Sequence, residues 1–297
     1  MNDYLVKAID KSKQLRLLTV TAKDLVQEAH QRHDTWAAST AALGRTLIGT
    51  LLLSAAELTD KEELTVRLLG NGPAGAIIAT SKANYTVKGY LQNPHVQVPV
   101  AKAGHINVKA AVGTQGWLEV TKDLGLKEPY TGQVPIVSGE IAEDFTYYLA
   151  KSEQIASSVG LSVFVNPNES VGAAGGFMLQ ALPGASEQTI SRVEQNIKSL
   201  PALSKLFLDG TTPEQLAQKI LGADCKLLET DPVAFACDCS KEKYGRILET
   251  LQTQELTSMI KEDHGCELTC KFCGNQYHFN KDELQAILTK KQQEQEY

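Results

Sequence analysis

The first 224 of the 297 residues contain no cysteine; all six stand between Cys225 and Cys273. A basic excess is lacking as well. The net charge is −6, so nothing global draws the chain to nucleic acid or to an anionic membrane. The opening Met1-Asn2-Asp3-Tyr4 has neither the basic start nor the apolar run of a secretory signal. A cytoplasmic, reducing location is therefore expected, where structural disulfides are rare and clustered cysteines read first as metal ligands or redox groups. No clean membrane span is present either. The apolar stretch from Thr35 to Ala56 carries Arg45 at its middle and is mostly Ala, Ser, Thr and Gly before Leu51-Leu52-Leu53. It reads as a small-residue helix buried in a core.

Acids are missing from Leu64 to Leu118, and this disposes of one motif. Gly70-Asn71-Gly72-Pro73-Ala74-Gly75 matches a dinucleotide fingerprint, which requires a helix next and an acid about twenty residues on. A strand-like Ala76-Ile77-Ile78-Ala79 follows instead. A glycine-rich turn between strands is the better reading. The bases of the same stretch, Arg67, Lys82, Lys88, Lys102 and Lys109, read as a solvated sheet face. His30 and His33 lack a third ligand. No catalytic constellation emerges, and the chain is not expected to be an enzyme.

What is there begins with 42% hydrophobic and 22% charged residues, enough apolar mass for a soluble globular core. The length fits two domains, or one large domain and a small module. The fold class expected is α+β. Residues 1–184 mix strands (Leu15–Val20, Leu64–Leu69, a hairpin over Leu161–Val165 and Val171–Leu182) with helices after a capping box at Thr21-Ala22-Lys23-Asp24 and after Ser138-Gly139-Glu140. Residues 185–230 read as a helical linker: Ile190, Val193, Ile197 and Leu200 share one face, and a second helix has Thr212 as cap, Pro213, Gln215 and a stop at Gly222. Its apolar faces need a partner outside it. Residues 231–297 form a small C-terminal domain ending in a helix capped by Asn280 and Glu283, with a disordered tail expected from Lys290.

That last domain holds Cys237-Asp238-Cys239, then 30 residues, then Cys270-Lys271-Phe272-Cys273. Zinc takes four thiolates at about 2.3 Å in a closed tetrahedral site, and two close pairs supply them with few demands on the chain between. Gly274 suits the knuckle turn, Tyr277-His278-Phe279 a returning strand, and Tyr244, Ile247, Leu248, Leu251, Leu256, Met259 and Ile260 a small core. So small a module needs a staple. Cys266, His264 and His278 are near enough to compete as ligands; Cys225 stands outside and reads as a buried thiol. Structural zinc is worth on the order of 10–16 kcal/mol against about 5–15 for a whole domain, so oxidising the ligands should unfold the module.

The C-x-C and C-x-x-C spacing resembles that of the redox-regulated chaperones called the 33-kilodalton heat-shock protein family. Ala41-Ala42-Leu43-Gly44-Arg45, the Gly70–Gly75 turn, Val137-Ser138-Gly139-Glu140 and Phe145-Thr146-Tyr147-Tyr148-Leu149 resemble it too. Ala156 departs from the family's usual proline. The resemblance implies a substrate-binding core, a linker resting on it and a zinc switch on Cys237, Cys239, Cys270 and Cys273. It implies a holdase without ATP, inactive when reduced and zinc-bound. Oxidation would pair Cys237 with Cys239 and Cys270 with Cys273, release zinc, and leave a homodimer that binds unfolding client proteins. The rival reading is a nucleic-acid-binding zinc ribbon, but residues 231–297 carry 12 acids and 8 bases, net −4, and phosphate contacts demand the opposite sign.

Overall fold

The computed structural model describes residues 3–99 and 106–295; Lys102, among the bases above, and residues 296–297 lie outside them. The chain forms two compact units, Met1–Ala236 and Cys237–Tyr297. The first runs β1 (Tyr4–Asp10), β2 (Leu15–Thr21), α1 (Lys23–His33), α2 (Ala37–Glu57), β3 (Glu63–Gly70), β4 (Ala76–Lys82), β5 (Thr86–Leu91) and α3 (Val108–Val112). It continues with β6 (Gly116–Asp123), β7 (Tyr130–Pro135), α4 (Ala142–Lys151), β8 (Ser157–Val165), β9 (Val171–Ala181), α5 (Glu187–Ser199), α6 (Leu203–Leu208), α7 (Pro213–Leu221), β10 (Cys225–Pro232) and β11 (Ala234–Phe235). The α+β expectation holds.

One sheet has the order β10-β1-β2-β9-β8 and the other β11-β5-β4-β3-β6-β7. Helix α2 lies between them, touching β3, β4 and β5 on one side and β2, β8 and β9 on the other. That position explains its composition. A helix covered on every side must be apolar or small all round. Gly49 is needed for the fit: a Cβ there would come within 2.4 Å of the Phe145 ring. The buried hydroxyls are satisfied locally, Thr46 donating to the Ala42 carbonyl and Thr50 to that of Thr46. Arg45 reaches Glu140, at 2.8 Å from Oε2. By length and composition α2 resembles a membrane span, but it is the buried helix of this core.

Strand β2 divides its side chains by parity. Leu18 and Val20 join the core around α2, whereas Leu15 and Leu17 face a second cluster built from Val193, Leu206, Phe207, Leu216, Ala217, Ile220 and Leu221 of α5–α7. Each fully buried aliphatic side chain there is worth about 1.5–3 kcal/mol. The expected α7 punctuation is present in full: Thr212 and Gln215 bond reciprocally, Pro213 opens the helix, and Gly222 ends it with φ 71°. Helix α5 sits less tightly. A cleft of about 360 Å³ opens beside it, lined by Leu15, Leu179, Ile190, Val193 and Ile197 among others.

The fingerprint-like Gly70–Gly75 is a turn between β3 and β4, as read. The bases beside it are matched across strands, Arg67 by Glu119 and Lys82 by Glu63. Three expectations need correction. The Thr21 capping box does not form: Thr21 ends β2, and the acceptor for the Leu25 N–H is Asp3 Oδ2 at 2.7 Å. The stretch from Cys225 to Pro232 is a strand on β1 and not part of a helix. Lys290 begins no disordered tail, because α10 (Lys281–Gln295) runs through it.

Candidate metal centre

The second unit comprises α8 (Lys241–Thr250), α9 (Thr253–Ser258), a π turn (Met259–Asp263), β12 (Gly265–Thr269), β13 (Gln276–Asn280) and α10. Its core is Leu248, Leu256, Ile260, Phe279, Leu284 and Leu288, six buried side chains. Of the core residues expected from sequence, Ile247 is 53% exposed; α8 turns Tyr244 and Leu248 inward instead, and Leu251, just after it, packs on the same cluster. So small a core offers little margin against conformational entropy.

Strands β12 and β13 form a hairpin whose turn is the C-x-x-C pair. Gly274 N–H donates to the Cys270 carbonyl at 2.8 Å, and Cys270 N–H to that of Asn275 at 2.8 Å. Gly274 takes φ 75°, a left-handed conformation that costs glycine nothing. The C-x-C pair comes in on the irregular residues before α8, whose N-cap is Ser240. The four Sγ atoms of Cys237, Cys239, Cys270 and Cys273 all lie within 4.8 Å of one another. Cys237 and Cys270 are 3.8 Å apart, Cys239 and Cys273 3.3 Å. Ligands at about 2.3 Å on tetrahedral corners would stand about 3.8 Å from each other, so the cluster has the size a thiolate-bound zinc requires. Among the described residues it is the one such cluster of metal-ligating side chains.

The competitors fall away from it. Cys266, in β12 opposite Phe279, packs on the small core. His278 Nδ1 lies 3.3 Å from Glu267, and His264 occupies the left-handed position after the π turn. Cys225 belongs to the first unit. His30, set aside from sequence for want of a third ligand, closes the turn after α1 with Nδ1 3.0 Å from the Thr35 carbonyl.

Two residues of the site were not expected from sequence. The Tyr277 hydroxyl donates to Cys239 Sγ at 3.1 Å, and Tyr244 stacks on Tyr277 with ring centroids 4.9 Å apart. Strand parity offered a signal, since Tyr277 lies two residues from buried Phe279 and at the knuckle end of β13. The thiols are electrostatically unequal. Burial pushes Cys237 up to about 11 and raises Cys273 as well. Burial acts on Cys270 in the same direction, but donors outweigh it: the Tyr244 hydroxyl and the N–H of Phe272 and Cys273 bring that thiol down to about 7. Such a cluster can hold one soft cation through four sulfurs, or give up electrons to an oxidant; thiolate is the reactive form for both.

Comparison with known proteins agrees with this architecture. The family described as Hsp33 protein matches residues 3–280. The 33 kDa chaperonin of Lactobacillus acidophilus is 69% identical over 297 residues, covering all of both chains, and that of Levilactobacillus brevis is 54% identical over 98% of this chain and 99% of its own. The crystal structure of the 33 kDa chaperonin from Thermotoga maritima superimposes with a TM-score of 0.91 at 37% identity, covering 99% of this chain and 100% of that one. With the α2 core, the helices on the outer sheet face and the four-cysteine cluster all in place, this chain belongs to the Hsp33 family, a family of chaperones.

Proposed function

We propose that this protein is a redox-regulated, ATP-independent holdase of the cytoplasm, switched by Cys237, Cys239, Cys270 and Cys273. The observation that carries the reading is the gathering of these four sulfurs from two distant segments into one cluster of metal-site size. In the reduced chain the four thiolates hold zinc, which supplies the cross-link that the six-residue core of the second unit cannot replace. A peroxide-type oxidant then takes two electrons from each cysteine pair: two thiolates, two protons and one peroxide give one disulfide and two water molecules. Each disulfide removes two ligands, and the unit unfolds.

The pairs are Cys237–Cys239 and Cys270–Cys273. In the folded cluster the shortest contacts run across, from Cys237 to Cys270 and from Cys239 to Cys273. As oxidation begins and the unit starts to open, the cross-contacts part while chain neighbours stay close, separated by one and two residues. Loosening then spreads into residues 185–230, the linker. Its outer-face cluster includes Leu15, Leu17, Phe177 and Leu179, apolar surface able to hold an unfolding chain of any sequence. The oxidised form acts as a homodimer. Peroxide titration with zinc release and peptide mapping tests the scheme: one zinc lost per chain, in step with four thiols and with neighbour disulfides, supports it. Dominant cross-pairs, or a bond through Cys266, would contradict the pairing.

A further inference from the structure

Strand β10 is shallowly rooted. It lies at the edge of its sheet with β1 as its one neighbour there, and Lys226 to Thr230 are all exposed, Leu227 at 42% and Leu228 at 52%. A bulge interrupts the ladder, because Lys7 pairs with Glu229 and Ala8 with Leu227, leaving Leu228 unmatched. Asp231 Oδ2 is buried without a hydrogen-bond partner among the described residues, a cost that release would relieve. The side-chain tie of the central stretch is Glu229 to Lys7 at 2.9 Å, with Glu229 itself largely exposed. Main-chain pairing therefore does most of the holding.

Strand β1 is the opposite. Leu5, Val6 and Ala8 are fully buried, and β2 pairs along its other side. If β10 left, β1 would stay with one edge bare. Which groups that edge presents follows from strand alternation. The Asp3 carbonyl accepts from Val233 N–H and Lys11 N–H donates to the Asp224 carbonyl, both toward the β10 side, while Tyr4 N–H points to Thr21 on β2. Leu5, Lys7 and Ile9 thus face β10; Val6 and Ala8 face β2. The chain leaves β10 through β11, and Ala236, bonded by its N–H to the Val87 carbonyl at 3.0 Å, is the last residue before Cys237.

We propose that the edge of β1 is a client-docking strand. When the cysteine unit oxidises, β10 leaves, and an extended segment of an unfolding protein takes its place by main-chain pairing. The resident strand shows what this edge accepts: eight extended residues whose side chains largely face solvent, so that backbone and not sequence is read. Unfolding proteins share that backbone whatever their side chains, and strand addition to a free edge is an established mode of peptide capture. The proposal rests on the redox reading above and adds to it where the client sits.

Residue-resolved amide exchange on the full-length, isotope-labelled protein tests it, with reduced, carboxymethylated α-lactalbumin as the permanently unfolded probe. The Leu5, Lys7 and Ile9 amides should be protected in the reduced chain, exchange roughly tenfold faster or more after peroxide, and regain protection when the probe is added. Val6 and Ala8 should stay protected throughout. Three results would overturn the proposal. One is no loss of protection on oxidation. Another is loss without recovery although the probe co-elutes with the protein, which leaves the redox reading intact and places the client elsewhere. The third is recovery without probe that grows with protein concentration, which gives the edge to a second copy. Failure of the probe to co-elute with the oxidised protein would instead sink the redox reading and this proposal with it.

Discussion

Each cysteine has its own expected behaviour. Serine at Cys237, Cys239, Cys270 or Cys273 removes one of the four proposed ligands and should abolish tight zinc binding, whereas serine at Cys225 or Cys266 should leave one zinc per chain; metal analysis of the purified variants decides, and full retention in Cys270→Ser would contradict the ligand set. Tyr277→Phe removes the hydroxyl 3.1 Å from Cys239 Sγ. Loss of an outer-shell partner usually costs about 10–100-fold in metal affinity, so competition against a chromophoric chelator should show weakening at the lower end of that range with stoichiometry unchanged. The gathering of the four cysteines was legible because cysteine pairs at close spacing carry their chemistry in the sequence. Tyr244 and Tyr277 were not, since an aromatic residue in a small module reads as core until the sulfur beside it is known.

At the scale of elements, the N-terminus of α1 gives a test with a pH signature. Burial pushes the Asp3 carboxyl up to about 6 from an ordinary 3.8, against the N–H groups at the start of α1 that favour the ionised form. A raised folded value means that stability is fully present below the unfolded value and is lost as pH rises through 6. Asp3→Asn keeps an acceptor for Leu25 N–H and removes the buried charge. It should raise the melting temperature at pH 7, by of order 1–3 kcal/mol in stability, with the gain shrinking below pH 6 and gone near pH 4. A gain independent of pH would refute the assignment. Helix α5 gives a second test. Ile197 packs on the outer-face cluster beside the cleft, so Ile197→Asp should loosen α5 and yield partial chaperone activity while still reduced and zinc-loaded, read as suppressed light scattering of a heat-unfolding client. Helix α7 was legible to the residue because its cap, proline and glycine are all local. The α1 cap was not, because Asp3 arrives from 22 positions away. Strand β10 was missed for a related reason: exposed on both sides, it carries no alternation, and its reason to be extended lies in β1. The end of α10 is polar enough to look unstructured, but Lys290 bonds Glu249, and Lys291 bonds the Glu249 and Leu251 carbonyls.

For the whole molecule, the division of labour follows from where the apolar mass lies. The first unit has a large core with α2 sealed inside it, and it keeps a second, shallower cluster under α5–α7. The second unit has six buried side chains and four sulfurs. Stability is therefore lowest in the unit that carries the four-cysteine cluster, and on the proposed reading a redox signal would arrive at the part of the chain least able to resist it. The α+β class and the metal-site cysteines could be read from composition and spacing; the sheet orders could not, because they depend on pairings far apart in the chain. The most direct measurement is light scattering of a heat-unfolding client, without ATP, in the presence of reduced zinc-loaded protein or of peroxide-treated zinc-free protein. The account predicts aggregation with the reduced form and suppression with the oxidised one; equal suppression by both would contradict the switch.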